Sequence, residues 1–250
     1  PLDLVDLYGA DATRYSLLAQ AGAVQDVRFD ADIEDNQVQA SASAEAGRNF
    51  ANKLWNATRF VLMNIEGYQP GEYQRGELAD RWIWSRLQAT VREVAEHLET
   101  YRFSDVTRAV YDFVWRDYCD WYLELAKVRL QGDDRQARLA VQHSLVEVLD
   151  TALRLLHPIM PFITETLWQA LPRAEAGQSI IVTDWPIADA ALVDDEAEGQ
   201  MQRLQEIVTA VRVIRGEMHV PPGKRIDVLI AVSAPEVAAC LRDVESYIAL

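Results

Sequence analysis

The sequence predicts a mainly α protein, a helical bundle followed by a small α/β subdomain. Three observations predict it. Long stretches between residues 48 and 171 carry apolar residues at steps of three and four, Gly- and Pro-containing turns separate those stretches, and the texture changes after Pro172 to short β-branched runs. A chain of 250 residues, half of them apolar, can bury a large core and fits one or two domains. The expected divisions are residues 1–30, 31–172 and 173–250.

Taken in order, Gly9 interrupts any long N-terminal helix, and Asp11 is placed to N-cap a helix running through Tyr15, Leu17, Leu18 and Ala21 that Gly22 ends. Residues 36–47, rich in Ala and Ser and closed by Gly47, read as a frayed helix start or a loop. The first strong helix begins at Arg48. Residues 67–76 form a turn. A second helix starts near Glu77, with Ile83, Leu87, Val91, Val94 and Leu98 on its inner face. There Trp82 and Trp84 point different ways, so at least one is only partly buried. Ser104 is the expected N-cap of a third helix that runs unbroken toward Leu130, with Val106, Ala109, Val110 and Phe113 inward. Gly132-Asp133-Asp134 turns into a fourth helix carrying Leu139, Leu145, Val146, Leu149, Leu153 and Leu156. It stops at His157-Pro158, and Pro161 opens a short helix that caps the bundle with Phe162, Leu167 and Trp168. Beyond Pro172, residues 179–183 and 225–232 read as strands. They flank a helix from about Asp195 with Leu204, Val208, Val211, Ile214 and Met218 inward, and Pro235 opens a last helix.

A net charge of −15 argues against a general nucleic-acid binder. The acid is concentrated at residues 30–35 and 189–198, which leaves Arg48, Lys53 and Arg59 as a thin basic strip and makes any RNA affinity weak and salt-sensitive. Pairs such as Asp194-Asp195 read as solvated. Cys119 and Cys240 lack CxxC spacing, so neither a disulfide framework nor a zinc knuckle is indicated, and isolated thiols suit a reducing cytosol. The four His residues are scattered, and no metal site is expected. No apolar run reaches the roughly 18 residues of a membrane span, and Pro1-Leu2-Asp3-Leu4 has no basic n-region.

The helix from Arg48 to Asn64 carries the functional signal. Phe50, Leu54, Ala57 and Val61 form a core stripe, while Asn49, Lys53, Asn56 and Phe60 form a second row one position earlier. Amides, an ammonium and an aromatic ring are the groups that contact single-stranded RNA, as base-edge donors, phosphate partner and stacking surface. They are equally the groups of an ordinary solvated helix face, and an acidic helical protein-interaction scaffold with many tryptophans fits the composition too.

R-N-F-A-N-K-L-W-N-A-T-R-F-V-L-M-N, residues 48–64, closely resembles the first helix of the anticodon-binding domain of bacterial valyl-tRNA synthetases. The likeness continues in P-L-D-L-V-D-L-Y-G-A-D-A-T-R-Y-S-L-L, in D-R-W-I-W-S-R-L, in C-D-W-Y-L-E-L-A-K, in L-L-H-P-I-M-P-F and in I-R-G-E-M-H-V-P-P-G-K-R-I-D-V-L-I. It covers most of the chain. The family usually has a shorter, more apolar lead-in before Arg48. The C-D-W-Y-L-E and Leu-His-Pro segments are shared with isoleucyl and leucyl synthetases, whose equivalent module is the alternative, whereas N-K-L-W-N-A-T-R-F and P-P-G-K favour valyl.

The resemblance implies the anticodon-binding helical bundle of a class I synthetase. Residues 1–30 would follow the catalytic domain, and the chain would stop before a coiled-coil arm. It implies a parent, usually monomeric and cytoplasmic, that attaches valine to tRNA(Val) with ATP and magnesium. It also implies contacts with the anticodon stem-loop at Lys53, Phe60 and Leu123, the last packing near the anticodon. Helical geometry adds Asn49 and Asn56 for base edges, and Arg48 and Arg59 for the RNA backbone. No Gly-rich phosphate loop, no His-x-Gly-His or Lys-Met-Ser-Lys-Ser signature and no Ser/His/Asp or Cys/His grouping occurs in the sequence. No catalytic residue is therefore assigned, and neither metal nor cofactor is expected in this portion.

Overall fold

The computed structural model describes residues 2–22, 27, 29–35, 37–71, 73, 74, 76–172, 177–221 and 223–231. It is mainly α. In order come α1 (Leu2–Tyr8), α2 (Ala10–Gln20), a hairpin of β1 (Asp32–Glu34) and β2 (Gln37–Ala40), α3 (Ala42–Met63), α4 (Leu78–Glu99) and α5 (Phe103–Asp112). A π-helical segment (Phe113–Tyr122), α6 (Leu123–Gln131), α7 (Arg135–Leu156), α8 (Pro161–Ala170) and α9 (Asp195–Glu217) follow. Two compact units result, residues 1–193 and 194–250.

In the first unit α2 packs on α3, α4 on α5 and α7, and α7 on α6 and α8. The predicted stripe on α3 is the core: Phe50, Leu54, Ala57 and Val61 are all buried. On α7, Leu145, Val146, Leu149, Leu153 and Leu156 are buried too. Trp82 is buried while Trp84 is half-buried, its indole Nε1 donating to Ser144 Oγ at 3.0 Å. His157 is structural as expected. It closes α7, and its Nδ1 lies 2.8 Å from the Thr164 hydroxyl of α8.

Several local expectations are corrected. The described part of the 36–47 stretch, residues 37–47, is neither frayed nor loop. β2 leads into Ser41, whose hydroxyl accepts the Ala44 N–H at 3.1 Å as a true N-cap, so α3 begins six residues before Arg48. Asp30 adds a second anchor by accepting the N–H and hydroxyl of Ser43. Asp11 does not cap its own helix. Its carboxylate reaches across to α8 and accepts the N–H groups of Phe162 (3.2 Å) and Ile163 (2.6 Å), donors that a helix N-terminus leaves without intrahelical partners. Ser104 is not the cap of α5, which starts one residue earlier, at Phe103 after Arg102. Phe162 does not cap the bundle, being 65% exposed, whereas Leu167 and Trp168 are buried.

The expected strand at 179–183 is a 3-10 turn, Ile180–Val182. Its donors are captured locally: Glu165 Oε2 accepts the Ser179 hydroxyl (2.7 Å) and the Ile180 N–H (3.1 Å), while Ser179 Oγ takes the Ile181 N–H. In the second unit Asp194 is a cap rather than a solvated charge, accepting the Ala197 N–H at 2.8 Å. Ala197, Met201 and Leu204 of α9 are buried, but Ile214 and Met218, expected inward, are 57% and 72% exposed. Residues 224–231 carry no strand, and the hairpin β1–β2 is the one sheet among the described residues. The remaining expected helix, from Pro235, lies outside them.

Gly47 has a packing role invisible in propensity. A Cβ there would sit 2.6 Å from the Ala12 carbonyl oxygen, so α2 and α3 touch backbone to backbone. Gly47→Ala gains about 1 kcal/mol of helix propensity but forces the helices apart at the roughly 1–3 kcal/mol of overpacking. A net loss, seen as a lower urea midpoint, is expected; a stabilised variant would refute the close approach.

Candidate nucleic-acid interface

The π-helical segment shapes this surface. Its buried residues fall at Phe113, Val114, Tyr118, Cys119 and Tyr122. Steps of five, 113 to 118 and 114 to 119, match the i→i+5 bonding of a π-helix and not the 3.6-residue turn predicted for this stretch. Two buried hydroxyls hold the segment. Tyr118 donates to the Leu145 carbonyl and Tyr122 to Asp80 Oδ1, both at 2.7 Å. Burial pushes both phenols well above their ordinary range and pushes the Cys119 thiol up to about 12, so Cys119 is an inert packing group.

The segment faces the second row of α3. Asn49 and Asn56 are exposed, and Lys53 and Phe60 half-buried. Lys53 Nζ lies 2.7 Å from Asp120 Oδ1 and 4.9 Å from the centre of the Trp115 ring. About two turns further on, Lys127 Nζ sits 5.9 Å from the centre of the Phe60 ring and bonds the Glu124 carboxylate at 2.6 Å. Leu123, at the start of α6 between Asp120 and Lys127 in sequence, is buried. The result is an aromatic surface with two ammonium groups, each held by its own carboxylate, and two exposed amide side chains on the same helix row.

Arg48 and Arg59 do not join it. They lie on an adjacent flank, one residue or about 100° round α3 from the Asn49–Phe60 row. Arg48 is turned onto the Tyr8 ring of α1 at 5.1 Å and paired with Glu45 at 3.2 Å; Arg59 is exposed. The basic strip expected from the sequence is therefore split between two faces. Among the described residues no group of His, Cys, Asp or Glu is arranged to hold a metal ion, and no helix is long and apolar enough to cross a membrane.

The family model described as the anticodon-binding domain of tRNA ligase matches residues 80–230. The chain belongs to this anticodon-binding family. Over 99% of its length it is 43% identical to a valine--tRNA ligase from Bacillus licheniformis, and over 92% it is 44% identical to one from Thermotoga maritima. It spans only about a quarter of these relatives, 27% and 25%. Among solved structures, an Agrobacterium radiobacter K84 LeuRS–tRNA–LeuAMS ternary complex superposes with a TM-score of 0.55 at 20% identity, covering 76% of this chain and 21% of that one. That likeness shows a shared fold.

The match to the family model starts at Asp80, so the α3 row lies outside it, whereas the valine--tRNA ligase of Bacillus licheniformis aligns along 99% of the chain. Sequence reading missed Trp115, Asp120 and Lys127. Asp120, Leu123 and Lys127 follow at steps of three and four, a signal available in C-D-W-Y-L-E-L-A-K. Trp115 had no such signal, because only the π geometry turns it toward Lys53.

Proposed function

We propose that this chain is the anticodon-reading portion of a valine--tRNA ligase, whose other portions attach valine to tRNA(Val). The observation that carries the reading is 43% identity to valine--tRNA ligases along 99% of the chain, including the α3 row that faces the π segment. Residues 1–30 connect to the catalytic portion, 31–172 carry the helices of the anticodon-reading bundle, residues up to 193 belong to the same compact unit, and 194–250 form an appendage ahead of a coiled-coil arm. ATP, with magnesium, belongs to the catalytic portion. The parent works as a cytoplasmic monomer without membrane association.

Unstacked loop bases are read by ring stacking and by contacts to their edges. Phe60 supplies the ring. Asn49 and Asn56 supply edge donors and acceptors. Lys53 meets a phosphate or a base acceptor, with Lys127 as a second cation beside the stacking ring. Leu123 forms part of the apolar wall behind them, and Arg48 and Arg59 meet the RNA backbone on the adjacent flank.

The test is low-salt binding of a valine anticodon stem-loop beside a copy with the second anticodon letter changed. Preference for the true anticodon is expected, and Phe60→Ala should lose about 1–3 kcal/mol of affinity, roughly 5- to 150-fold. Equal affinity of Phe60→Ala and the unaltered chain would remove the stacking role. Equal binding of both loops would leave α3 as a backbone-holding or protein-docking face.

A further inference from the structure

We infer that Asp120 is a built-in counter-ion for Lys53, which an RNA acceptor must displace before Lys53 can serve the anticodon loop. The inference rests on the reading of the α3 row as an RNA surface.

Lys53 is held from two sides. Asp120 takes one N–H at 2.7 Å, and the Trp115 face lies 4.9 Å from the ammonium. Trp115 is itself braced, stacked on Tyr111 at 5.3 Å and 21°, and Tyr111 touches the buried Phe50 ring at 5.0 Å. The two holders are five residues apart. At 3.6 residues per turn they would point about 140° apart; the wider turn of i→i+5 bonding brings them toward the same side, where both reach Lys53, so the π segment builds the clamp. π segments inside helices occur often at functional sites. The pattern repeats at Lys127, which bonds Glu124 beside Phe60.

The clamp is displaceable. The Lys53 and Asp120 side chains keep 32% and 45% of their exposure, so water screens the pair and it contributes only modestly. An RNA phosphate or base oxygen offers Lys53 the same kind of charge-assisted bond that Asp120 offers. Binding therefore exchanges one acceptor for another, and affinity is lowered by the stability of the internal pair. For an exposed pair that is roughly two- to fivefold. Asp120 thus acts as a positioning residue. It holds the ammonium in place over Trp115 and reserves it for an acceptor that can compete at that spot.

A double-mutant cycle on the full chain tests this, with fluorescently labelled valine anticodon stem-loop RNA as the probe and urea midpoints to establish that each variant is folded. Asp120→Asn should tighten binding roughly two- to fivefold, Asp120→Glu should restore the original affinity, and Asp120→Asn should change nothing in a Lys53→Ala background. Equal tightening in both backgrounds would mean general relief of negative charge, and unchanged or weaker binding of Asp120→Asn would mean no competition; either overturns the inference while the anticodon reading stands. Unchanged binding and anticodon preference in Lys53→Ala alone would bring down the reading of α3 itself, and the counter-ion role with it.

Discussion

Replacing Asp80 with Ala is expected to lower stability by about 3–5 kcal/mol, the usual result of breaking one side of a buried ion pair. Asp80 is fully buried at the start of α4. Its Oδ1 accepts the Tyr122 hydroxyl at 2.7 Å and Arg129 Nη2 at 2.5 Å, and its Oδ2 accepts Arg129 Nη1 at 2.6 Å. The Arg129 side chain is 10% exposed. Ala at position 80 would leave the guanidinium facing a low-dielectric space without its bidentate carboxylate, and would leave a buried phenol without its acceptor. The network ties α4 to the last residue of the π segment and to α6, so its loss also loosens the scaffold behind Lys127. Urea unfolding measures the effect. Asp80→Asn, which keeps an acceptor oxygen, should lose less than Asp80→Ala. A loss below about 1 kcal/mol for Asp80→Ala would show that the pair adds no more than a surface salt bridge does.

The second large effect is expected at Phe50, where substitution by Ala should cost about 3–5 kcal/mol, the range for deleting a buried aromatic ring. Phe50 has no exposed surface, and its ring centre lies 5.1 Å from that of Tyr15 and 5.0 Å from that of Tyr111. Deleting the ring forfeits the transfer free energy and opens a cavity between α2, α3 and α5, where close-packed neighbours collapse only in part. Phe50→Leu, which keeps most of the volume, should lose clearly less. The stack continues through Tyr111 to Trp115, so near-ultraviolet circular dichroism from these rings should change in Phe50→Ala even under conditions where the chain stays folded. A denaturant midpoint unchanged in Phe50→Ala would show that the ring is not a core element.

The α3 stripe was legible because a helix repeats every 3.6 residues and one face must leave water: the spacing of Phe50, Leu54, Ala57 and Val61 is enough to assign them to the core. The adjacent row, Asn49, Lys53, Asn56 and Phe60, was legible by the same rule. Its likeness to valyl-tRNA synthetases was legible too, since it lies in the order of side chains along one helix. Pro161 at the head of α8 and the stop at His157 were likewise local matters, set by a missing N–H and a fixed φ.

Other features depend on partners far along the chain. Asp11 looks like a cap for its own helix, yet α8, distant in sequence, offers two unpaired N–H groups, and the carboxylate goes there. Ser179 to Thr183 has the side chains of a strand, but Glu165 takes the donors and no neighbouring strand is present among the described residues to reward an extended backbone. The π segment follows from packing Tyr118 and Tyr122 where their hydroxyls find Leu145 and Asp80, a demand no window of neighbouring residues expresses.

Local periodicity and side-chain identity were enough to settle where most of the helices run, which α3 face is buried and which family the chain resembles. Three-dimensional packing was needed to show that Lys53 is held by Asp120 over Trp115, that Lys127 stands beside Phe60, and that Arg48 and Arg59 belong to another face. Charges act across space, and the groups that meet here are brought together by packing between helices rather than by order along the chain.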